Sequence, residues 1–188
     1  MKNLLYMISS DWNRYLVVHQ NRSMIYSILV FIHNPGMLFS LLYRTYISLL
    51  YSKHLKILSY LFYPLFFLIS YYILDIDIAP SSVIGPGLYT HNRGIVGADF
   101  ISGKNLTLIG PLTIGRNFGH DSAPKLGIDV VISAGARIIG KVIIGSNVII
   151  GANAVVTKDV TNNVIVGGVP AKIIKKISNF DFKKYILN

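Results

Sequence analysis

The 188-residue chain has no cysteine and no glutamate, and a single tryptophan. Without cysteine there are no disulfides and no thiolate metal sites, which suits a reducing, cytoplasmic compartment. Without glutamate, any carboxylate chemistry must come from eight aspartates. Imidazole chemistry is limited to five histidines: His19, His33, His54, His91 and His120. Acids are scarce beside 18 lysines and arginines, leaving a net charge of +10. Such a surplus suits phosphate-bearing ligands, anionic headgroups or nucleic acid. Nucleic acid is set aside, because the basic residues are scattered and no nucleic-acid motif interleaves them with aromatics. A leader peptide is also not expected, since Ser9, Ser10, Asp11, Asn13 and Arg14 interrupt the apolar start.

Large aliphatics recur at every sixth position from Leu126 through Ile132, Ile138, Ile144 and Ile150 to Val156. The same register runs back through Ile114 and Leu108, lapses at Ser102 and resumes at Val96, with Ile78 and Ile84 in phase. Neither a helix nor a flat strand has this period. It describes short strands joined by tight corners, three to a triangular coil, with the aliphatics inward. Gly145, Asn147, Gly151 and Asn153 fall where corners need positive φ or close backbone approach. The repeat predicts a mainly β chain, a parallel β-helix of about five coils. Two polar stretches, Gly85 to Gly94 and Gly115 to Pro124, read as loops, and binding chemistry concentrates on loops carried by rigid scaffolds.

Residues 1–76 form an N-terminal helical region and 77–188 the β-helix domain. Asn34-Pro35-Gly36 reads as a helix start, with Asn34 as cap. Ile57 to Leu74 carries no charge over a length close to a membrane span, with Pro64 expected to kink it. Two readings stay open for 57–74: short helices buried against each other and sister subunits, or peripheral contact with the inner face of the cell membrane. The lysine-bearing tail after Ile173 is expected to form a short C-terminal helix capping the last coil.

Six motifs in order carry a resemblance: Asp77-Ile78-x-Pro80, Ile84-Gly85-Pro86-Gly87, His91-x-x-Gly94-Ile95-Val96, Ser133-Ala134-Gly135-Ala136, Ile150 to Val156, and Gly168-Val169-Pro170-Ala171-Lys172. Together they resemble the serine acetyltransferase branch of the hexapeptide-repeat acyltransferases. The resemblance implies a left-handed β-helix, a homotrimer with active sites between subunits, and acetyl-CoA as donor, with no metal. It marks His91 as the catalytic base and Asp77 as its partner. Ala134, Gly135, Ala152 and Gly168 match the positions along the pantetheine arm, and Lys172 the nucleotide end. Acyl transfer to a hydroxyl needs a base that is neutral near pH 7, which imidazole is, and a carboxylate on its other nitrogen would fix the tautomer.

The second loop departs from the serine-specific pattern, with Asp121-Ser122-Ala123-Pro124-Lys125 where an arginine and a histidine are expected. Thr90, Asn92, His120 and Asp121 are candidates for the acceptor side. Loss of the guanidinium fork points to an acceptor without a free carboxylate. The expectation is therefore an O-acetyltransferase acting on a sugar hydroxyl in polysaccharide synthesis. Serine O-acetylation and a non-catalytic β-helix scaffold are the alternatives. A zinc enzyme on this scaffold would need three histidines, and only His91 and His120 lie in the repeats.

Overall fold

A computed structural model describes residues 4–18, 34–116 and 123–177. Helix α1 spans Leu4–Val18 and α2 spans Pro35–Leu50. The Asn34 side chain caps α2 by accepting from the Gly36 N–H at 3.0 Å, and Pro35 occupies the first turn, where its missing N–H costs nothing. Helix α3, Lys56–Phe67, runs through Pro64 and widens into a π-helical turn, Leu68–Ile73. Phe66, Ser59 and Ser70 are buried, whereas Ile57, Leu61 and Tyr72 are at least 70% exposed. By length and apolar content, Lys56–Ile73 is sufficient for one membrane crossing.

Fifteen short strands follow among the described residues. The first fourteen stack in parallel to form three sheets, β1-β4-β7-β10-β13, β2-β5-β8-β11 and β3-β6-β9-β12-β14. This is a left-handed β-helix of about five coils. Ile78, Ile84, Leu108, Ile114, Leu126, Ile132, Ile138, Ile144, Ile150 and Val156 all point into one continuous core, as their spacing requires. Asn147 and Asn153 take φ of 55° and 58°, while a Cβ on Gly145 would meet the Asn162 side chain at 2.3 Å. The corner asparagines also stack: Asn105 donates to Asp129 at 2.7 Å and Asn147 to Asn163 at 2.9 Å.

The expected phase breaks at one place. Val96 is 45% exposed, and Ile95 and Gly97 face inward instead. The turn after β3 (Tyr89–His91) holds one extra residue, with Asn92 at φ 67° and Gly94 at φ 75°. The next unit is one residue short, and the Phe100 ring fills the space beside Gly97. By contrast, Gly85 to Leu88 is an ordinary corner, since Val83 pairs with Ile101 just as Tyr89 pairs with Thr107. The second loop is an insertion: the coil from Thr107 to Val131 is six residues longer than that from Val131 to Ile149. The C-terminal tail also differs from expectation. Lys172–Lys176 is a strand, β15, antiparallel to β14 (Val164–Gly167), because the last coil leaves its sheet edge open for pairing; residues 178–188 lie outside the described part.

The first coil has no coil before it to receive its backbone groups, and the helices supply partners. Tyr43 donates to the Ser82 carbonyl (2.7 Å) and Ser70 to that of Ile76. Arg44 donates to the carbonyls of Ile84 and Gly85, both at 2.7 Å. Asp11 accepts from the N–H groups of Gly87 and Leu88, both at 2.8 Å, and pairs with Arg44 at 2.8 Å. Tyr15 accepts from the Thr90 N–H at 3.0 Å. Asp11 and Arg44 are nearly inaccessible, so each charge depends on the other.

Arg44→Ala therefore strands a buried carboxylate, and urea unfolding is expected to show a loss of about 3–5 kcal/mol. Gly94→Ala places a Cβ 2.8 Å from Pro111 at a positive φ. The same measurement is expected to show a loss of about 1–3 kcal/mol.

Candidate active site

The extra residue after β3 breaks the phase of the repeat, and His91 stands just before it. Side chains alternate along β3, so Tyr89 and His91 share the outer face and Thr90 points the other way. His91 is exposed. Its Nδ1 lies 3.3 Å from the Tyr89 hydroxyl, and the two rings are nearly parallel, with centroids 6.1 Å apart. Tyr89 is 4% exposed and packs on Tyr15, centroid to centroid at 4.6 Å. Burial raises the Tyr15 phenol well above its usual range, so it stays neutral and serves the Thr90 backbone.

Thr90, a sequence candidate for the acceptor, is fully buried. Its hydroxyl lies 3.1 Å from that of Tyr15, and α2 approaches so closely that a Cβ on Gly36 would strike it. It holds the helices to the coil and cannot meet a substrate. Asn92 is exposed in the turn beside His91, and so is Arg93.

Asp77 is exposed on β1 (Ile76–Ile78), opposite Val96 in register. Among the described residues it forms no hydrogen bond, and the group on the second nitrogen of His91 is a phenol in place of the expected carboxylate. Asp75 is nearer the turn: its carbonyl accepts from the N–H groups of Gly94 (2.8 Å) and Ile95 (3.2 Å). No periodic or motif signal in the sequence singled out Tyr89 or Asp75, because both act through the folded turn.

The cofactor candidates gather along one prism edge. Gly110 donates to the His91 carbonyl (2.8 Å), Gly135 to Pro111 (2.6 Å), Asn153 to Ala134 (2.9 Å) and Val155 to Gly168 (3.0 Å). The corners holding His91, Ala134 and Gly135, Ala152, and Gly168 are thus rungs of one column. With about 4.8 Å per coil, the column spans roughly 19 Å from first coil to last. Small side chains leave its backbone open to a thin, extended ligand. Lys172 is exposed at its far end, with Lys175 and Lys176 exposed further along β15, and cations there suit phosphates. His120 and Asp121 lie outside the described residues. Among the described residues, no three His, Cys, Asp or Glu side chains cluster to hold a metal.

Arg14 of α1 donates to the Thr107 hydroxyl at 3.3 Å, at the rung next to Tyr89. Burial pulls its guanidinium down to about 10, with Asp129 and Tyr89 opposing the shift, so it remains charged at neutral pH.

The model of the bacterial transferase hexapeptide family (six repeats) matches residues 123–158. A serine acetyltransferase of Buchnera aphidicola subsp. Acyrthosiphon pisum is 38% identical over 116 residues, covering 59% of this chain and 41% of that protein. The chain therefore spans less than half of that relative's length. The crystal structure of Neisseria gonorrhoeae serine acetyltransferase in complex with serine aligns over 92% of this chain and 69% of that one, at 27% identity and a TM-score of 0.75. Serine acetyltransferase from Brucella abortus strain S19, in complex with coenzyme A, aligns over 94% and 69%, at 26% identity and a TM-score of 0.77.

These similarities overturn the expected sugar acceptor and the polysaccharide-synthesis subgroup, since the relatives are named for serine. The inference from the absent guanidinium fork rested on one loop. The likeness to serine acetyltransferases extends across the coils and the helical region as well. Repeat, coil geometry and these likenesses agree that the chain is similar in sequence and fold to hexapeptide-repeat serine acetyltransferases.

Proposed function

We propose that the chain transfers the acetyl group of acetyl-CoA to the side-chain hydroxyl of serine, with His91 as general base. The observation that carries this reading is the exposed His91 imidazole at the head of a column of small-residue corners, in a chain whose relatives are serine acetyltransferases. The base takes the hydroxyl proton as the serine oxygen attacks the thioester carbonyl. When the carbon–sulfur bond breaks, the imidazolium returns that proton to the departing thiolate. Ala134, Gly135, Ala152 and Gly168 would line the donor's extended arm, and Lys172 would meet its phosphates as a point charge.

Asp77, outward on the first strand, would favour the imidazolium through its charge. Asn92 would hold the acceptor, and Arg93, exposed in the same turn, would take the serine carboxylate in place of the missing fork.

The working unit we propose is a homotrimer in a reducing cytoplasm. Val83 and Ile101 support it, exposed and adjacent in register on one sheet, with Ile143 exposed two rungs on, beyond Lys125. So does the uncovered apolar face of α3. Apolar surface exposed on the scale of the α3 face marks an interface.

Incubation with acetyl-CoA and free serine is expected to release CoA and form O-acetylserine. His91→Ala should cut turnover by about 10²-fold to 10⁴-fold while leaving CoA binding and trimer mass unchanged. No product with the parent protein, or an unimpaired His91→Ala variant, would overturn the reading. Arg93→Gln is expected to raise KM for serine about tenfold with little change in kcat; an unchanged KM removes Arg93 from the site.

A further inference from the structure

We infer that Tyr89 is a positioning residue for His91, its phenol oxygen accepting the Nδ1–H and thereby leaving the Nε2 lone pair for the acceptor hydroxyl. This rests on the reading of His91 as the base. The geometry is local and specific: 3.3 Å from Tyr89 Oη to His91 Nδ1, with rings inclined by only 7°. Neutral imidazole carries its proton on one nitrogen, and a base must present the other. A partner able to accept at Nδ1 selects the useful tautomer. Once Nε2 is protonated, both ring nitrogens are donors, and Nδ1–H then needs the same acceptor. The phenol oxygen can serve before and after proton transfer without moving.

Tyr89 is well suited to hold that position. It is 4% exposed, and its ring lies against Tyr15, which is fully buried and bonded to the Thr90 backbone between Tyr89 and His91. Met37 of α2 completes the cluster. The helical region therefore reaches the imidazole in two steps, α1 to Tyr89 and Tyr89 to His91. A phenol does here what a carboxylate is expected to do, at the cost of a weaker, uncharged acceptor.

Tyr89→Phe keeps the ring and removes only the acceptor oxygen. In the full chain it is expected to lower kcat for serine acetylation about three- to tenfold, with KM for acetyl-CoA unchanged. Nitrogen NMR of histidine-labelled protein, with the His91 signals identified by their loss in His91→Gln, gives a readout independent of turnover. The parent protein should show neutral His91 protonated on Nδ1, and Tyr89→Phe should move the proton toward Nε2. A parent His91 protonated on Nε2, the same tautomer in both proteins, or an unchanged kcat would overturn the assignment. If the parent does not acetylate serine, the proposed activity fails, yet the tautomer of the parent still decides the role of Tyr89. That measurement also stands if the variant does not fold.

Discussion

A parallel β-helix must end somewhere, and its first coil has N–H and C=O groups with no coil above to bond them. Leaving buried backbone groups unpaired costs about 1–3 kcal/mol each, so a cap is required for stability. Here that cap consists of side chains. Asp11, Tyr15, Tyr43, Arg44 and Ser70 reach from the helices to bond the backbone along the first coil, and the Asp11–Arg44 pair neutralises the charges this brings inside. The aromatic cluster of Phe39, Tyr43, Tyr46 and Phe66 packs against the same coil and excludes water from those bonds. The helical region is therefore the missing layer of the coil stack, and the two regions share one core.

The candidate site grows from the same junction. Tyr15, which satisfies Thr90, also supports Tyr89, and Tyr89 meets His91. Regular coils give the rigidity, and the out-of-phase turn at Asn92 to Gly94 follows the end of β3 beside the corner column. A regular six-residue unit in that place would keep Val96 in the core and offer no such departure. The phase shift is confined to this coil because the shortened unit after it, filled by Phe100, restores the phase.

The electrostatics of the column follow a simple order. The His91 end has an imidazole, a phenol and exposed aspartates at Asp75 and Asp77, while the far end has Lys172, with Lys175 and Lys176 further along β15. A ligand with a reactive acyl end and a phosphate end would lie along it in one direction only. Between the two ends there are few side chains to obstruct it.

Much of this was legible in the residues alone. The sixfold return of aliphatics determined the coil, its core and the inward-facing residues, because a backbone turning at that period has only one set of positions to bury. The motifs around His91, Ala134, Ala152 and Gly168 could be found by order and spacing, since each occupies a corner and corners demand particular residues. The partners of the first coil were not legible: Asp11 and Arg44 are far apart in sequence and carry no period, and only packing of α1 and α2 on the coil brings them together. For the same reason Tyr89 reads as one more aromatic until the strand turns it outward beside His91, and Thr90, its neighbour, reads as exposed until the strand turns it inward. Sequence spacing determines which way a repeat faces, whereas contacts between a helix and a coil edge depend on where the elements dock, which only the tertiary structure decides.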